Sequence, residues 1–145
     1  MTLIKEISAQ EAIIVRHPVL RKEKPIETCI FDGDDLETTH HFGLFKNSNL
    51  TGIISLFVKS NPIFAEIFQV QIRGMAILES HQKKGFGEKL IIHCEEYCLS
   101  NQFDLIWFNA RTAAVGFYKK LGYKTKGNPF EIPNIGEHYL MYKKI

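Results

Sequence analysis

The spacing of apolar and polar residues predicts a chain that alternates between strands and helices. Runs rich in β-branched and aromatic residues, bounded by glycine, proline or polar turn residues, are typical of strands. Such runs cover residues 3–7, 39–45, 50–59, 66–78, 104–109, 123–127 and 138–143, with a further short extended piece at 28–31. Two of them flank a polar loop at 46–49 and therefore predict a hairpin, while residues 32–35 predict a turn.

Three further segments show helical signals. A capping box of Ser8 and Glu11 opens the first helix, and in such a box each side chain satisfies a free backbone N–H group of the other residue. We expect this helix to end near His17, because Pro18 disfavours helical backbone in the residue before it.

The second helical segment, residues 88–100, carries apolar side chains at a helical spacing that predicts one buried face. That face consists of Leu90, Ile91, Cys94, Tyr97 and Cys98. The third segment begins at Thr112, a favourable N-cap residue, and ends at Leu121 just before Gly122. Helices and strands in this order predict an α+β fold, in which helices pack against a mixed, largely antiparallel central sheet.

Length and composition narrow the class of protein. The 145 residues are enough for one domain, residues 1–145, with a hydrophobic core. Hydrophobic residues make up 45% and charged residues 23%, as in an ordinary globular protein, and the formal charge of +2 is too small to indicate nucleic-acid binding. Charge appears by Lys5 and no apolar run is long enough to span a membrane, so we expect a cytoplasmic protein. The 3 cysteines do not form the pattern of a disulfide framework.

The turn at residues 82–87 carries the strongest chemical signal. It follows an apolar strand and precedes a helix, whose first N–H groups have no intrahelical partners and whose dipole favours an anion. Gly85 and Gly87 allow close approach of a ligand or a positive φ, and Lys83 and Lys84 add positive charge. The spacing predicts a phosphate or pyrophosphate site, with a plain tight turn as the alternative.

Two motifs, in this order, resemble those of one large family. The strand RGMAIL followed by Gln82-Lys-Lys-Gly85-Phe86-Gly87 fits the pattern Q/R-x-x-G-x-G/A. The segment Ala114-Val-Gly-Phe117-Tyr118-Lys-Lys-Leu-Gly122-Tyr123, which follows LIWFNAR, fits A-x-x-F-Y-x-x-x-G-F. The chain therefore resembles the GCN5-related N-acetyltransferase (GNAT) superfamily over roughly its second half. The ending FEIPNIGEHYLMYKKI is similar to that of a bacterial subgroup of uncertain substrate.

The resemblance implies an acyl-CoA cleft between two strands that splay apart, with a β-bulge at Gly74. The acyl donor would be acetyl-CoA, with no metal ion. Its pantetheine arm would pair with the backbone around Met75 and Ile77, and its pyrophosphate would bind the N–H groups of residues 83–87. The implied cofactor-binding residues are Met75, Ile77, Gln82, Lys83, Lys84, Gly85, Phe86, Gly87, Asn109, Arg111, Phe117 and Tyr118.

The implied reaction is direct transfer of an acetyl group from the thioester to a primary amine in a ternary complex. Tyr118 takes the place of the family's common general acid, with a core tyrosine as the alternative, and the N–H near Ile77 would donate to the oxyanion. Many family members carry a glutamate base where this chain has Gln71, which cannot accept a proton. The other candidates for the base are Glu66, which lies earlier on the strand and would need a different geometry, and the histidines His40, His41 and His138. A water chain that needs no dedicated base is the remaining alternative.

Two arginines, Arg73 and Arg111, have no assigned partner. Arg111 stands where many family members carry an asparagine that contacts the cofactor arm, and Asn109 lies two residues earlier. Either Asn109 makes that contact, or Arg111 reaches a phosphate or an acidic partner, or it forms a buried ion pair with a carboxylate. His93, Cys94 and Cys98 offer too few converging ligands for a metal site.

The expected partner is a small-molecule or peptide amine, without nucleic acid or membrane, and the family habit makes a homodimer possible. The amine would dock against the first helix, the hairpin and the last strands, because the cofactor occupies the glycine turn. The alternative from another class is a non-catalytic acyl-CoA-binding sensor of the same fold, which is suggested by Gln71 in place of a glutamate.

Overall fold

Seven strands form one sheet in a computed structural model that describes residues 1–145. The strands are β1 (Thr2–Ile7), β2 (His40–Lys46), β3 (Asn49–Val58), β4 (Gln69–Ile77), β5 (Leu105–Arg111), β6 (Lys124–Ile132) and β7 (Gly136–Lys144). The α-helices are α1 (Ala9–Leu20), α2 (Phe86–Ser100) and α3 (Val115–Lys120), with short 3-10 helices at Ile26–Cys29, Glu79–His81 and Thr112–Ala114. The strand order is β1-β2-β3-β4-β5-β7-β6, and only β4 and β5 pair in parallel. The predicted α+β fold with a mostly antiparallel sheet is confirmed.

The two long helices pack on opposite faces of the sheet. Successive residues of a strand point to opposite faces, so neighbouring residues of one strand belong to different core clusters. α2 covers a core cluster of 17 buried residues that includes Ile54. α1 covers a smaller cluster of 5 buried residues that includes Ile53, the neighbour of Ile54 on β3. The buried face predicted for the second helix is present. Its residues are Leu90, Ile91, Cys94, Tyr97 and Cys98, of which only Tyr97 is half-buried.

The sheet opens between β4 and β5. These strands pair at only three positions each, the last of which joins Gln71 to Trp107. A register shift against β3 places one extra residue on β4 between Arg73 and Ala76. Gly74 in this bulge has a φ of +67°, a conformation that favours glycine. The splayed strand pair and the bulge at Gly74 both confirm what the resemblance implied.

The first helix begins as predicted and ends later than predicted. The Glu11 N–H donates to Ser8 Oγ at 3.1 Å, and the Ser8 N–H donates to Glu11 Oε1 at 3.0 Å, so the capping box is confirmed. The prediction that the helix ends near His17 is wrong, because it continues for two residues beyond Pro18. Proline removes one backbone donor, but the His17 carbonyl still accepts from the Arg21 N–H at 3.2 Å.

Two other local predictions are wrong. Residues 28–31 do not form an extended piece as a whole, because Thr28 and Cys29 lie in the 3-10 helix Ile26–Cys29 and extended backbone follows only at Ile30. Thr112 does not cap a helix, since its Oγ1 donates to Glu137 Oε1 of β7 at 3.0 Å and a 3-10 helix precedes α3. In this second case a long-range contact replaces the local cap. Gly122 does follow α3, with a φ of +94°.

Candidate active site

A cavity of about 330 Å³ lies in the opening between β4 and β5. Its wall comes from these strands, from the end of α1, from α3 and from the segment around the start of β7, so residues far apart in sequence meet there. The polar and charged residues that line it are Arg21, Gln71, Arg73, Asn109, Arg111, Tyr118 and His138.

The turn before α2 presents free backbone N–H groups. Gly85 precedes the helix with a φ of +80°, Lys83 has a φ of +62°, and no side chain caps the helix. The first helical hydrogen bond runs from the Lys89 N–H to the Gly85 carbonyl at 3.2 Å, so the preceding N–H groups have no intrahelical partner. A Cβ atom on Gly85 would meet no atom within 4 Å. The turn therefore has the donors and the open space that a phosphate group needs.

The side chains around this turn differ in their surroundings. Those of the two lysines are exposed, whereas that of Phe86 is buried in the core, so Phe86 offers the opening only its backbone. Gly87 faces both α3 and β4: a Cβ atom there would lie 3.4 Å from Phe117 Cζ and 3.5 Å from Met75 Cε. The turn, Phe117 and Met75 thus form one continuous wall beside the opening, and 39% of Phe117 is exposed.

The edge of β4 that faces the opening carries a free donor. The Leu78 N–H donates to the Thr51 carbonyl of β3 at 2.8 Å. Because the N–H groups of successive strand residues point to opposite sides, the Ile77 N–H points away from β3 and toward the opening. The Ile77 carbonyl is engaged, since Gln82 Nε2 donates to it at 2.9 Å. Met75 lines the cavity, whereas Ile77 lies just outside its wall.

Tyr118 lies on α3, and its ring packs against that of Phe108 with 4.4 Å between the ring centroids. The residue belongs both to the main core cluster and to the cavity wall. Burial raises the pKa of Tyr118 to about 12, and no charged neighbour contributes. The hydroxyl therefore stays protonated near neutral pH and is able to donate a proton or a hydrogen bond.

His138 of β7 lines the cavity and is 5% exposed. Its Nδ1 lies 2.7 Å from the Gly136 carbonyl oxygen. A carbonyl oxygen only accepts hydrogen bonds, so Nδ1 carries the proton and Nε2 of the neutral ring has a free lone pair. His138 therefore has the tautomer that a proton acceptor needs.

The other two histidines considered for the base lie elsewhere. His40 Nδ1 is 2.7 Å from Glu6 Oε2, at the β1 side of the sheet. His41 is buried with both ring nitrogens engaged: Nδ1 contacts Ser55 Oγ at 2.6 Å and Nε2 contacts a backbone carbonyl oxygen at 3.0 Å. Neither residue lines the cavity, so the structure brings only His138 of the three to this place.

Asn109 and Arg111 lie near the end of β5, and both are exposed and line the cavity. Arg111 is the direct pairing neighbour of His138 on β7. Arg111 takes part in none of the ion pairs of the protein, so the buried ion pair that the sequence left open is absent.

Gln71 lies on β4 beside the start of the opening. It is 6% exposed, it lines the cavity, and its Oε1 has no hydrogen-bond partner. A buried acceptor without a partner costs free energy, and a ligand N–H group in the cavity would remove that cost. Gln71 cannot take a proton from an amine, but its oxygen is able to accept a hydrogen bond from one.

Sequence reasoning missed a charged network behind the cavity. Arg16 is fully buried, and its guanidinium donates to Asp34, to Ser55 Oγ and to the Cys29 carbonyl. The available signal was the position of Arg16 on α1, four residues after the buried Ala12 and thus on the face that packs against the sheet.

The cysteines are free and buried. Burial raises the pKa of Cys94 well above its ordinary value and that of Cys98 to about 12, so both stay protonated thiols near neutral pH. No group of three or more His, Cys, Asp or Glu side chains is placed to hold a metal ion. None of the helices combines the length and the apolar character that a membrane crossing requires.

Comparison with known proteins decides the family. The model of the acetyltransferase (GNAT) family matches residues 7–123. The chain belongs to the GNAT family. It is similar to an uncharacterized N-acetyltransferase of Bacillus subtilis (strain 168), YitI, with 37% identity over 145 residues that cover 100% of this chain and 97% of the relative. The predicted family and the N-acetyltransferase activity class are therefore confirmed.

Two solved GNAT structures share the fold at low identity. The crystal structure of an aminoglycoside 6'-N-acetyltransferase complexed with coenzyme A matches with a TM-score of 0.78 and 15% identity, covering 98% of this chain and 96% of that one. The ribosomal-protein-S18-alanine N-acetyltransferase from Escherichia coli matches with a TM-score of 0.78 and 17% identity, covering 100% and 94%. The family and this fold support acyl-CoA-dependent N-acetyltransfer.

Proposed function

We propose that this GNAT protein transfers an acetyl group from acetyl-CoA to a primary amine by direct attack in a ternary complex. The observation that carries the proposal is the meeting of Gln71, Tyr118 and His138 in the cavity between β4 and β5. One small space thus holds an acceptor for an amine N–H, a hydroxyl that stays protonated, and a ring nitrogen with a free lone pair.

The residues around the opening fit an elongated phosphate-bearing donor. The N–H groups of residues 83–87 would hold the pyrophosphate, with the exposed side chains of Lys83 and Lys84 adding positive charge. The wall of Met75 and Phe117 would contact the pantetheine arm, and Asn109 would reach it from β5. Bound acetyl-CoA supplies a thioester, whose carbonyl carbon is the electrophile.

Each chemical task then has a group on this chain. The Ile77 N–H points toward the opening and would donate to the thioester oxygen as negative charge develops on it. Tyr118 would donate its proton to the departing sulfur, because its hydroxyl stays protonated in this buried position. Tyr118 lines the cavity, and the Ile77 N–H points into the opening beside it.

His138 is the group best placed to take the proton from the amine. Its Nε2 is unprotonated in the neutral ring because Nδ1 donates to the Gly136 carbonyl. Gln71 would hold the amine through its unpartnered Oε1 while His138 accepts the proton, directly or through one water molecule. This division of roles explains how the site functions without a glutamate at position 71.

Thermal unfolding with acetyl-CoA tests the binding part of the proposal. A ligand that binds only the folded state at a hundred-fold excess over Kd stabilises it by about 2.7 kcal/mol, a shift that is easily measured. Gly85→Val should abolish the shift, because a side chain would occupy the open space over the turn. Gly127→Val is the matched control, since Gly127 also has a positive φ (+77°) and no atom within 4 Å of a Cβ.

Mass spectrometry of a panel of primary amines incubated with acetyl-CoA and the protein tests the chemical part. Acetylated product that requires the protein supports the proposal. An acetyl-CoA shift without acetylation of any amine would instead support the non-catalytic acyl-CoA-binding module. No shift at millimolar acetyl-CoA would contradict both.

A further inference from the structure

The cavity is lined by three arginines that have no anionic partner. The protein forms five ion pairs, and none of them includes Arg21, Arg73 or Arg111. All three arginines line the cavity, and no aspartate or glutamate does so. An arginine cannot lose its proton near neutral pH, so the wall of this cavity carries uncompensated positive charge.

Arg73 is the one of the three that contacts two aromatic rings. It lies two residues after Gln71 on β4, so the two side chains share the face of the sheet that α1 covers. Its guanidinium carbon lies 4.6 Å from the centroid of the Phe31 ring and 5.5 Å from that of Phe57. Aromatic rings on this planar group fix its orientation and leave its N–H donors for a ligand.

The surroundings of Arg73 favour an incoming anion. Burial lowers the pKa of Arg73, the charges of Arg16 and Arg21 lower it further, and Asp34 and Asp32 act in the opposite direction. Neither of these carboxylates lies within ion-pair distance of Arg73.

The one buried carboxylate of the protein, that of Asp34, is already neutralised. Asp34 accepts two hydrogen bonds from Arg16 and one from the Phe31 N–H. An oxyanion with two acceptor oxygens, such as a carboxylate or a phosphate, would therefore give Arg73 the bidentate partner that the protein itself does not supply.

Resting on the proposed function, we infer that the acceptor is a small amine that also carries an oxyanion, a carboxylate or a phosphate. The oxyanion binds the Arg73 guanidinium with Arg21 beside it, and the amine lies at Gln71 and His138. Gln71 fits this pairing better than a glutamate would, because a carboxylate two residues from Arg73 would compete for the guanidinium.

Pairs of acceptors in which one member carries the oxyanion and the other a neutral group in its place test the inference. The pairs are β-alanine and β-alaninamide, glycine and glycinamide, and O-phosphoethanolamine and ethanolamine, each assayed for acetylation and, without acetyl-CoA, for a shift in thermal unfolding. We expect the anionic member of at least one pair to have the higher kcat/KM and the larger shift, and the phosphate and carboxylate arms identify the oxyanion.

Variants of Arg73 test whether this residue causes the preference for anionic acceptors. Arg73→Gln should lower kcat/KM for the anionic acceptor by roughly 10- to 100-fold, the range for a lost charge-assisted hydrogen bond, and leave that of the neutral twin and the Kd of acetyl-CoA unchanged. Arg73→Lys, which keeps the charge without the planar fork, should give an intermediate value. Lys120→Gln removes an exposed positive charge on α3 outside the cavity and should have no effect.

The outcomes separate this inference from the proposed function. Equal or better acetylation and binding of the neutral twins would overturn the inference and leave N-acetyltransfer intact. Binding of the anions without acetylation of any amine, while acetyl-CoA binds, would support the oxyanion site and contradict the catalytic proposal. An anion preference that persists in Arg73→Gln and Arg73→Lys would also overturn the assignment to Arg73.

Discussion

Arg16 and Asp34 form a two-bond ion pair in the interior of the protein. Arg16 Nη1 donates to Asp34 Oδ2 at 2.7 Å, and Nη2 donates to Oδ1 at 3.0 Å. The same guanidinium lies 4.0 Å from the centroid of the Phe31 ring, so the pair supports the aromatic side chain that contacts Arg73. This relationship links the first helix, the loop after it and the part of the cavity wall that contains Arg73.

Loss of this ion pair should destabilise the whole fold. Asp34→Asn leaves the buried Arg16 charge without its counter-ion, and we expect the free energy of unfolding to fall by about 3–5 kcal/mol, measured by urea unfolding. Asp35→Asn, at the exposed neighbouring position, is the control and should change it by less than about 0.5 kcal/mol. Equal stabilities for the two variants would contradict the role of the pair.

The same pair predicts how stability depends on pH. Burial alone raises the pKa of Asp34, but hydrogen bonds from Arg16 and the Phe31 N–H, with the charges of Arg16 and His41, outweigh it and hold the pKa below its ordinary value of 3.8. The unfolded chain therefore takes up this proton at a higher pH than the folded protein does. The stability from Asp34 is complete above pH 3.8 and is lost as pH falls through the lower folded pKa. The melting temperatures of wild type and Asp34→Asn should thus converge in acid, and a constant difference would argue against this linkage.

Tyr118→Phe tests the proposed acid. We expect kcat to fall by about 10²–10⁴-fold, the usual contribution of a positioned proton donor, with an unchanged Kd for acetyl-CoA. Because burial raises the pKa of Tyr118 to about 12, any loss of wild-type activity between neutral pH and about pH 10 must come from another group. Tyr97→Phe, on α2 against His40, is the control. An unaltered kcat in Tyr118→Phe would remove this hydroxyl from the mechanism.

His138→Asn tests the proposed base. The variant should lower kcat by about 10²–10⁴-fold, the usual contribution of a positioned proton acceptor, with an unchanged Kd for acetyl-CoA. His40→Asn should leave kcat unchanged, because His40 contacts Glu6 outside the cavity. If kcat is unaltered in His138→Asn, proton transfer through water without a dedicated base becomes the better account.

Local sequence signals predicted the glycine turn before α2, and the family resemblance implied the bulge at Gly74. Both features depend on backbone conformation, which nearby residues largely determine. The motif around Tyr118 also identified a residue of the cavity wall. The local signals were wrong where tertiary contacts competed with them, as at Thr112, whose hydroxyl bonds to β7 instead of a helix N-terminus.

The contacts around Phe31 and Arg73 could not be predicted in the same way. Arg16 and Asp34 are 18 positions apart, and the contacts of Phe31 with Arg21 and Arg73 join a loop to α1 and β4. No local spacing encodes such contacts, because they depend on how the loop packs across the sheet. The sequence identified Gln71 only as a departure from the family pattern, whereas its unpartnered oxygen became visible in the fold.

Because all three cysteines are buried, we expect the native protein not to react with thiol reagents. Cys94 and Cys98 lie with their thiols in the main core cluster beneath α2, and Cys29 is enclosed behind the Arg16 network. A chromogenic disulfide added during turnover would therefore report the sulfhydryl of released coenzyme A with no background from folded enzyme. Once the chain unfolds, the same reagent would count three further equivalents, so a single colour reaction distinguishes catalysis from denaturation.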